Sequence, residues 1–444
     1  MSDLNPSSDR RIIKVGALAR VEGEGALHVK MKQGRVEQVQ LVIYEPPRFY
    51  EAFLRGRPYA EVPDITARIC GICPIAYQMG SCHALEKCLG VFQQVTSEIR
   101  RLRNLIYCGE WIESHILHMF MLHLPDFLGY ESAISLAQDH GPIVKQALQL
   151  KKLGNDLVAL LGGRAVHPVG VCVGGFYRAP DREEIAALIP RVQSALEQMS
   201  ELTLFLAQHV DYPDFERDYE FVSLQSDDEY PMNLGRIVSN KGLSVEQEEF
   251  LEAIEEKQVP HSTALHAVIK GRGAYLVGPL ARLNLNPDKL LPRSAELLER
   301  VCQTLNNALP WRNNFLSLPA RAIETVYALE RALQLLQNHR EPAISRIPIE
   351  PRAGVGGHGT EAPRGICWHQ YRTDDAGNIA TARIIPPTSQ NQMVIEEDLH
   401  DLVNQLADKD DEELCLRSEH LIRNYDPCIS CSVHFLKFDR QVVS

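Results

Sequence analysis

The chain has 444 residues, of which 45% are hydrophobic and 23% charged, enough apolar material for a large buried core and too much for intrinsic disorder. Its net charge of -12, with no run of lysines and arginines, excludes the clustered positive surface that nucleic acid requires. Eleven cysteines spread over so long a chain are unlike the disulfide framework of a small secreted domain and read as reduced thiols or metal ligands.

The N-terminal stretch MSDLNPSSDRRIIKVG has no apolar signal-like region, and no segment approaches about 18 uninterrupted apolar residues. The expectation is a cytoplasmic protein with no membrane span of its own. GALHVKMKQGRVEQVQLVIY then alternates apolar and polar residues around Gly34, the pattern of a β hairpin. From Ser97 to Leu122 apolar residues recur at helical spacing, and the stretch runs to a break expected at Pro125. A second helix should stop at Gly162 and Gly163. A third should start behind Asp181, with Glu184 three residues on as a capping box, and continue to about Val210. Ser244 and Gln247 suggest another capping box, and SAELLERVCQTLNNAL and ARAIETVYALERALQLL two more helices. Between Pro351 and Asn391 the composition predicts Gly/Pro-rich loops with a short strand around ATARIIPP. The expected fold class is mainly α with small β additions at both ends of the sequence (α+β), in one domain.

The chemistry is carried by two C-x-x-C pairs, Cys70 and Cys73 in RICGIC and Cys428 and Cys431 in DPCISC. Together they supply four thiolates, which suit a soft or borderline metal. Zinc ribbons bring such pairs together within one small module, whereas these stand near opposite ends of the chain; spacing alone leaves a structural zinc and a buried catalytic metal both open. The remaining cysteines, Cys82, Cys88, Cys108, Cys172, Cys302, Cys367 and Cys415, lack metal-like pairing and read as buried thiols.

Around the cysteines stand RVEGEG, RFYEAFLRGR, HILHMFMLHLPDF, GGRAVHPVGVCVGGF, GRGAYLVGPLAR, EAPRG and IPPTSQN. In this order, with the cysteine pairs at both ends, they resemble the large, catalytic subunit of [NiFe] hydrogenases. The wording is most similar to the cytoplasmic NAD(P)-linked branch, whose members are also called sulfhydrogenases. The resemblance implies a long-helix bundle core with an N-terminal β hairpin and a buried metal site. It implies Cys70 and Cys428 as terminal nickel ligands, and Cys73 and Cys431 as bridges from nickel to an iron that carries carbon monoxide and cyanide.

By the same resemblance, H2 is split heterolytically, or formed in reverse, with Glu22 as the proton relay beside Cys428. Arg364 lies over the open face of the metals with Asp426 as its ion-pair partner, and Thr388 supplies a hydroxyl to a cyanide. Glu51 and His434, with a backbone carbonyl near Ile384, line a hard-cation site, usually magnesium. His167 is a hydrogen-bond partner behind the ligands, competing with its plain reading as a satisfied core histidine. Two departures from the family pattern stand out. Tyr77 replaces a histidine and cannot relay protons near neutral pH. Ser114 stands where some members carry an aspartate.

With no cysteine set left for an iron-sulfur cluster, electrons need an outside path. The resemblance supplies it as an iron-sulfur small subunit and a flavin-bearing NAD(P) diaphorase module. It also divides the chain into a domain of residues 1–434 and a maturation extension, 435–444, cut off by a protease after His434. The alternatives are a hydrogen-sensing relative, one using another electron acceptor, and an unrelated zinc protein.

Overall fold

The computed structural model describes residues 10–433. The chain opens with an antiparallel sheet of β1 (Arg10–Val15), β2 (Gly25–Lys32) and β3 (Arg35–Ile43) in that spatial order. Gln33 and Gly34 both take positive φ, 52° and 70°, the two-residue turn that matches strand twist, so the hairpin falls where the alternation places it. The sheet continues into α1 (Tyr50–Leu54), and α2 (Pro74–Cys88) begins directly after Cys73.

The core is helical. α3 (Ser97–Ile116) crosses α4 (Ala133–Gly162) closely enough that a Cβ on Gly154 would lie 2.7 Å from the Glu113 amide nitrogen and one on Gly109 3.0 Å from the Gly154 carbonyl oxygen. α5 (Arg182–His209) and α6 (Ser317–Gln337) pack on this pair. The Asp181–Glu184 capping box forms, α4 ends at Gly162 with Gly163 at φ 76°, and α5 reaches His209, all as the sequence suggests.

Three expectations are corrected. Helical backbone does not stop before Pro125: α3 runs into a π-helical turn, Leu117–His123, and on through Leu124–Leu128, because a proline in the first turn of a helix lacks only an amide that would have no partner anyway. The capping box near residue 246 is formed by Glu246 and Glu249 around a 3-10 turn, while Ser244–Val245 is a short strand.

The third correction is the largest. The Gly/Pro-rich stretch is a three-stranded antiparallel sheet, β4 (Gly354–Ala362), β5 (Gly365–Thr373) and β6 (Ile379–Ile385), followed by α7 (Pro387–Gln405). The glycines of β4 are there for clearance, while Gly377, at φ 76°, serves the turn between β5 and β6. A Cβ at Gly354 would stand 2.0 Å from the Cys88 carbonyl oxygen, and one at Gly356 2.3 Å from that of Ala84, so only bare backbone fits against α2. The chain closes with α8 (Asp411–Asn424) and a single turn, α9 (Ile429–Ser432). Among the described residues, no helix is long and apolar enough to cross a membrane.

Candidate metal centre

The two cysteine pairs meet in the buried interior. Cys70 Sγ lies 2.9 Å from Cys73 Sγ and 3.5 Å from Cys428 Sγ; Cys431 Sγ lies 2.8 Å from Cys428 Sγ and 3.8 Å from Cys73 Sγ. All four are buried, no disulfide joins them, and their sulfurs lie within 4.8 Å of one another. Burial pushes the Cys428 and Cys431 thiols up; Cys70 is pushed well down, since hydrogen bonds from the other three outweigh its own burial. Four full thiolates packed this tightly require a multivalent cation, so the donor set fits soft or borderline metals.

Each pair is positioned by backbone contacts from elsewhere in the chain. The Glu22 carbonyl accepts the Ile429 amide at 2.9 Å, making a parallel bridge between Glu22 and Cys428. Glu22 Oε2 accepts both the Cys428 sulfhydryl and the Ser430 amide, each at 3.1 Å. Gly23, at φ 90°, makes room for this: a Cβ there would stand 2.7 Å from the Ile429 Cβ. Thr388, in the first turn of α7, accepts the Cys428 amide at 3.1 Å through its hydroxyl.

Arg364 sits in the two-residue turn between β4 and β5, a hairpin tip rather than an irregular loop. The Arg364 guanidinium donates from Nε to the Asp426 carbonyl at 2.7 Å and from Nη2 to Asp426 Oδ1 at 3.0 Å, and Nη1 reaches Ser114 Oγ at 3.4 Å. The side chain is 3% exposed. Gly278 permits the approach, since a Cβ there would be 2.9 Å from the Arg364 carbonyl oxygen. Burial raises the Asp426 carboxyl, opposed by Arg364 and Arg321.

Other expected residues lie around this centre at different distances. Glu51 and Ile384 are brought together: Glu51 Oε1 accepts the Ile384 amide at 2.7 Å. Burial pushes the Glu51 carboxyl up to about 7. His434 lies outside the described residues. His167, at φ 47°, bonds the Ala67 carbonyl through Nδ1 at 2.7 Å, and its ring lies beside Gly71 of the first cysteine loop, 3.9 Å from where a Cβ there would stand. Tyr77 is buried with its ring edge on His369, and its hydroxyl has no hydrogen-bond partner among the described residues.

Two contributors escaped the sequence reading. Arg48 donates through Nη2 to the Ile69 carbonyl at 2.7 Å and to the Ser430 carbonyl, tying one cysteine loop to the other. Glu110, buried on α3, accepts the Ile75 and Ala76 amides at 2.6 and 3.0 Å and so closes the N-terminus of α2 immediately behind Cys73. Burial raises its carboxyl well above the usual range. Arg48 does stand inside a quoted motif, but a charge that works on backbone carbonyls leaves no pairing pattern, and Glu110 has no local signal.

The model of the nickel-dependent hydrogenase family matches residues 48–141. Over 96% of its length the chain is 36% identical to the whole of sulfhydrogenase 2 subunit alpha of Pyrococcus furiosus. It is 26% identical, again over 96%, to 95% of the NAD-reducing hydrogenase HoxS subunit beta of Cupriavidus necator. Among solved structures, an NAD+-reducing [NiFe]-hydrogenase in the H2-reduced state superposes with a TM-score of 0.86 at 25% identity, covering 96% of this chain and all of the other. The chain belongs to the nickel-dependent hydrogenase family. Within it, this is a large subunit, the one that carries out hydrogenase catalysis.

Proposed function

We propose that the four-cysteine centre holds nickel through all four sulfurs, with Cys73 and Cys431 shared with an iron bearing carbon monoxide and cyanide. The chain then catalyses reversible H2 oxidation coupled, through an iron-sulfur small subunit and a flavin module, to NAD(P). The observation that carries this reading is the junction of Glu22 with Cys428 inside a cage of four sulfurs. The NAD(P) coupling is supported by the NAD-reducing relative and by the NAD+-reducing neighbour.

When bound, the metals supply heterolytic cleavage of H2. The protein supplies the path for the proton: Cys428 Sγ donates toward Glu22 Oε2 at 3.1 Å, so a proton arriving at that sulfur passes to the carboxylate in one step. The Ser430 amide, on the same oxygen, holds the acceptor in line. Arg364, fixed by both its Nε and Nη2 on Asp426, presents a rigid positive charge and excludes bulk water from that side. Thr388 spends its hydroxyl oxygen on the Cys428 amide and keeps its O–H proton available to a neighbouring acceptor. A half-buried Glu51, with His434 and the Ile384 backbone, serves a magnesium ion. The catalytic domain ends at His434, and 435–444 is a maturation extension.

The test is metal analysis with infrared spectroscopy on protein purified from cells able to mature hydrogenases. One nickel per chain, iron in excess of nickel because of the small subunit's clusters, carbon monoxide and cyanide bands, and H2-dependent reduction of NAD(P) are expected. Zinc in place of nickel would overturn the reading. Mass spectrometry of the active enzyme should find the chain ending at His434, and an intact tail in fully active protein would refute the processing step.

A further inference from the structure

A second group of ligand-type side chains lies away from the four sulfurs. His261 stands in the loop between two hairpin strands, Ile254–Lys257 and His266–Ile269; His266 opens the second strand; and Glu396 projects from α7, which packs on that strand. His261 Nε2 and Glu396 Oε1 are 2.7 Å apart, and the same oxygen accepts the Leu41 amide of β3 at 2.8 Å. The His266 ring is set edge-on to that of His261, at a centroid distance of 5.9 Å. His266 is 4% exposed, and its Nε2 has no hydrogen-bond partner among the described residues.

An orphaned imidazole nitrogen in a buried place is costly unless something meets it. Here the ligand atoms of His261, His266 and Glu396 all lie within 4.8 Å of one another. Tetrahedral zinc with bonds of about 2.0 Å separates its ligand atoms by about 3.3 Å, so rotamer-scale adjustment closes the set. His261 and Glu396 are each 17% exposed in their side chains. A cleft of about 590 Å³, lined by Val42, Tyr44, Pro260 and His261 among others, gives an ion access from solvent.

We propose that His261, His266 and Glu396 form a second, sulfur-free site for a divalent ion of the zinc type, with water in the fourth position on the cleft side. The ion would clamp the hairpin to α7, with β3 attached through the Leu41 amide on Glu396. The loop it fixes is joined to the four-sulfur centre. The Thr263 hydroxyl donates to the carbonyls of Ile43 and Glu45 at 3.0 and 2.8 Å, and Glu45 Oε2 accepts the Ser430 hydroxyl at 2.9 Å, between the two C-terminal cysteines. The site therefore supports the wall against which the second cysteine pair closes.

The experiment is titration of Zn2+ and Co2+ into the purified, metal-loaded hydrogenase complex, in wild type and in His261→Gln, His266→Gln and Glu396→Gln. Wild type should take up one equivalent of zinc beyond its resident metals, and the variants should bind it at least about tenfold more weakly. Bound Co2+ should show ligand-field absorption without sulfur-to-metal charge transfer, which separates this site from the cysteines. His261→Gln, at the edge of the cleft, tests the site even if the buried His266 variant folds poorly. Equal zinc uptake by wild type and His261→Gln, or a thiolate charge-transfer band on Co2+ binding, overturns the proposal.

Discussion

In the proposed mechanism the proton leaves through Glu22, whose side chain meets Cys428 Sγ while its backbone carbonyl holds Ile429. These two tasks are separable. Glu22→Gln keeps the backbone bridge and an acceptor for the Ser430 amide but removes the exchangeable carboxylate. Nickel content should stay at the wild-type level while H2/D2O exchange falls by about 100-fold or more, the usual worth of a positioned acid-base group. Exchange within about threefold of wild type would show that the proton leaves by another route. Arg364→Lys should also lower activity, by roughly tenfold, with the metals retained, since an ammonium cannot make both contacts to Asp426. At this scale the sequence was most informative, because thiolates and a buried carboxylate are costly to place anywhere without a partner. Arg48 and Glu110 stayed hidden because they act on main-chain atoms, which every residue has.

Among the elements, local signals located α4 and α5 well, since a glycine stop at Gly163 and a box at Asp181 act over three or four residues. They failed for β4, where glycine density suggests loops and the real constraint is the proximity of α2, some 270 residues earlier in the chain for pairs such as Ala84 and Gly356. No local rule reports clearance against a distant helix. The consequence can be measured: Gly356→Ala places a methyl group 2.3 Å from the Ala84 carbonyl oxygen and should destabilise the fold by about 1–3 kcal/mol in thermal denaturation, as overpacking does. Because β4 leads to Arg364, loss of activity in this variant should track loss of folded protein. Full activity at unchanged stability would mean that strand and helix can separate freely.

At the scale of the whole molecule, the imidazoles of His83, His115, His118, His123, His358 and His420 are all buried. Burial pushes His115 and His420 down to about 4 and holds His83, His118, His123 and His358 well below the ordinary histidine range. Their ordinary value is near 6.5, so the unfolded chain takes up protons that the folded chain refuses. The stability these groups provide is fully present above pH 6.5 and is lost as pH falls toward 4, with a slope of up to about 1.4 kcal/mol per pH unit for each. Glu51, Glu113 and Glu361, pushed up by burial to about 7, act in the opposite sense over the same interval, so the histidine contribution is read by difference: in His420→Gln the midpoint of urea unfolding should fall less between pH 6.5 and 4.5 than in wild type. Parallel profiles for the two proteins would mean that this ring is charged or solvated in the native protein.

The meeting of Cys70 with Cys428 has a further effect, on chain entropy. The two residues are 358 positions apart, and ions shared by both pairs would cross-link the chain as a disulfide does. Closing a loop of that size removes on the order of 6 kcal/mol of freedom from the unfolded state, if the link persists there. Metal-loaded enzyme should then resist thermal unfolding by several degrees more than the same chain expressed without nickel. The centre that handles hydrogen would double as the clasp of a very long loop, and oxidative or chelating damage to it would be felt as lost stability as well as lost turnover.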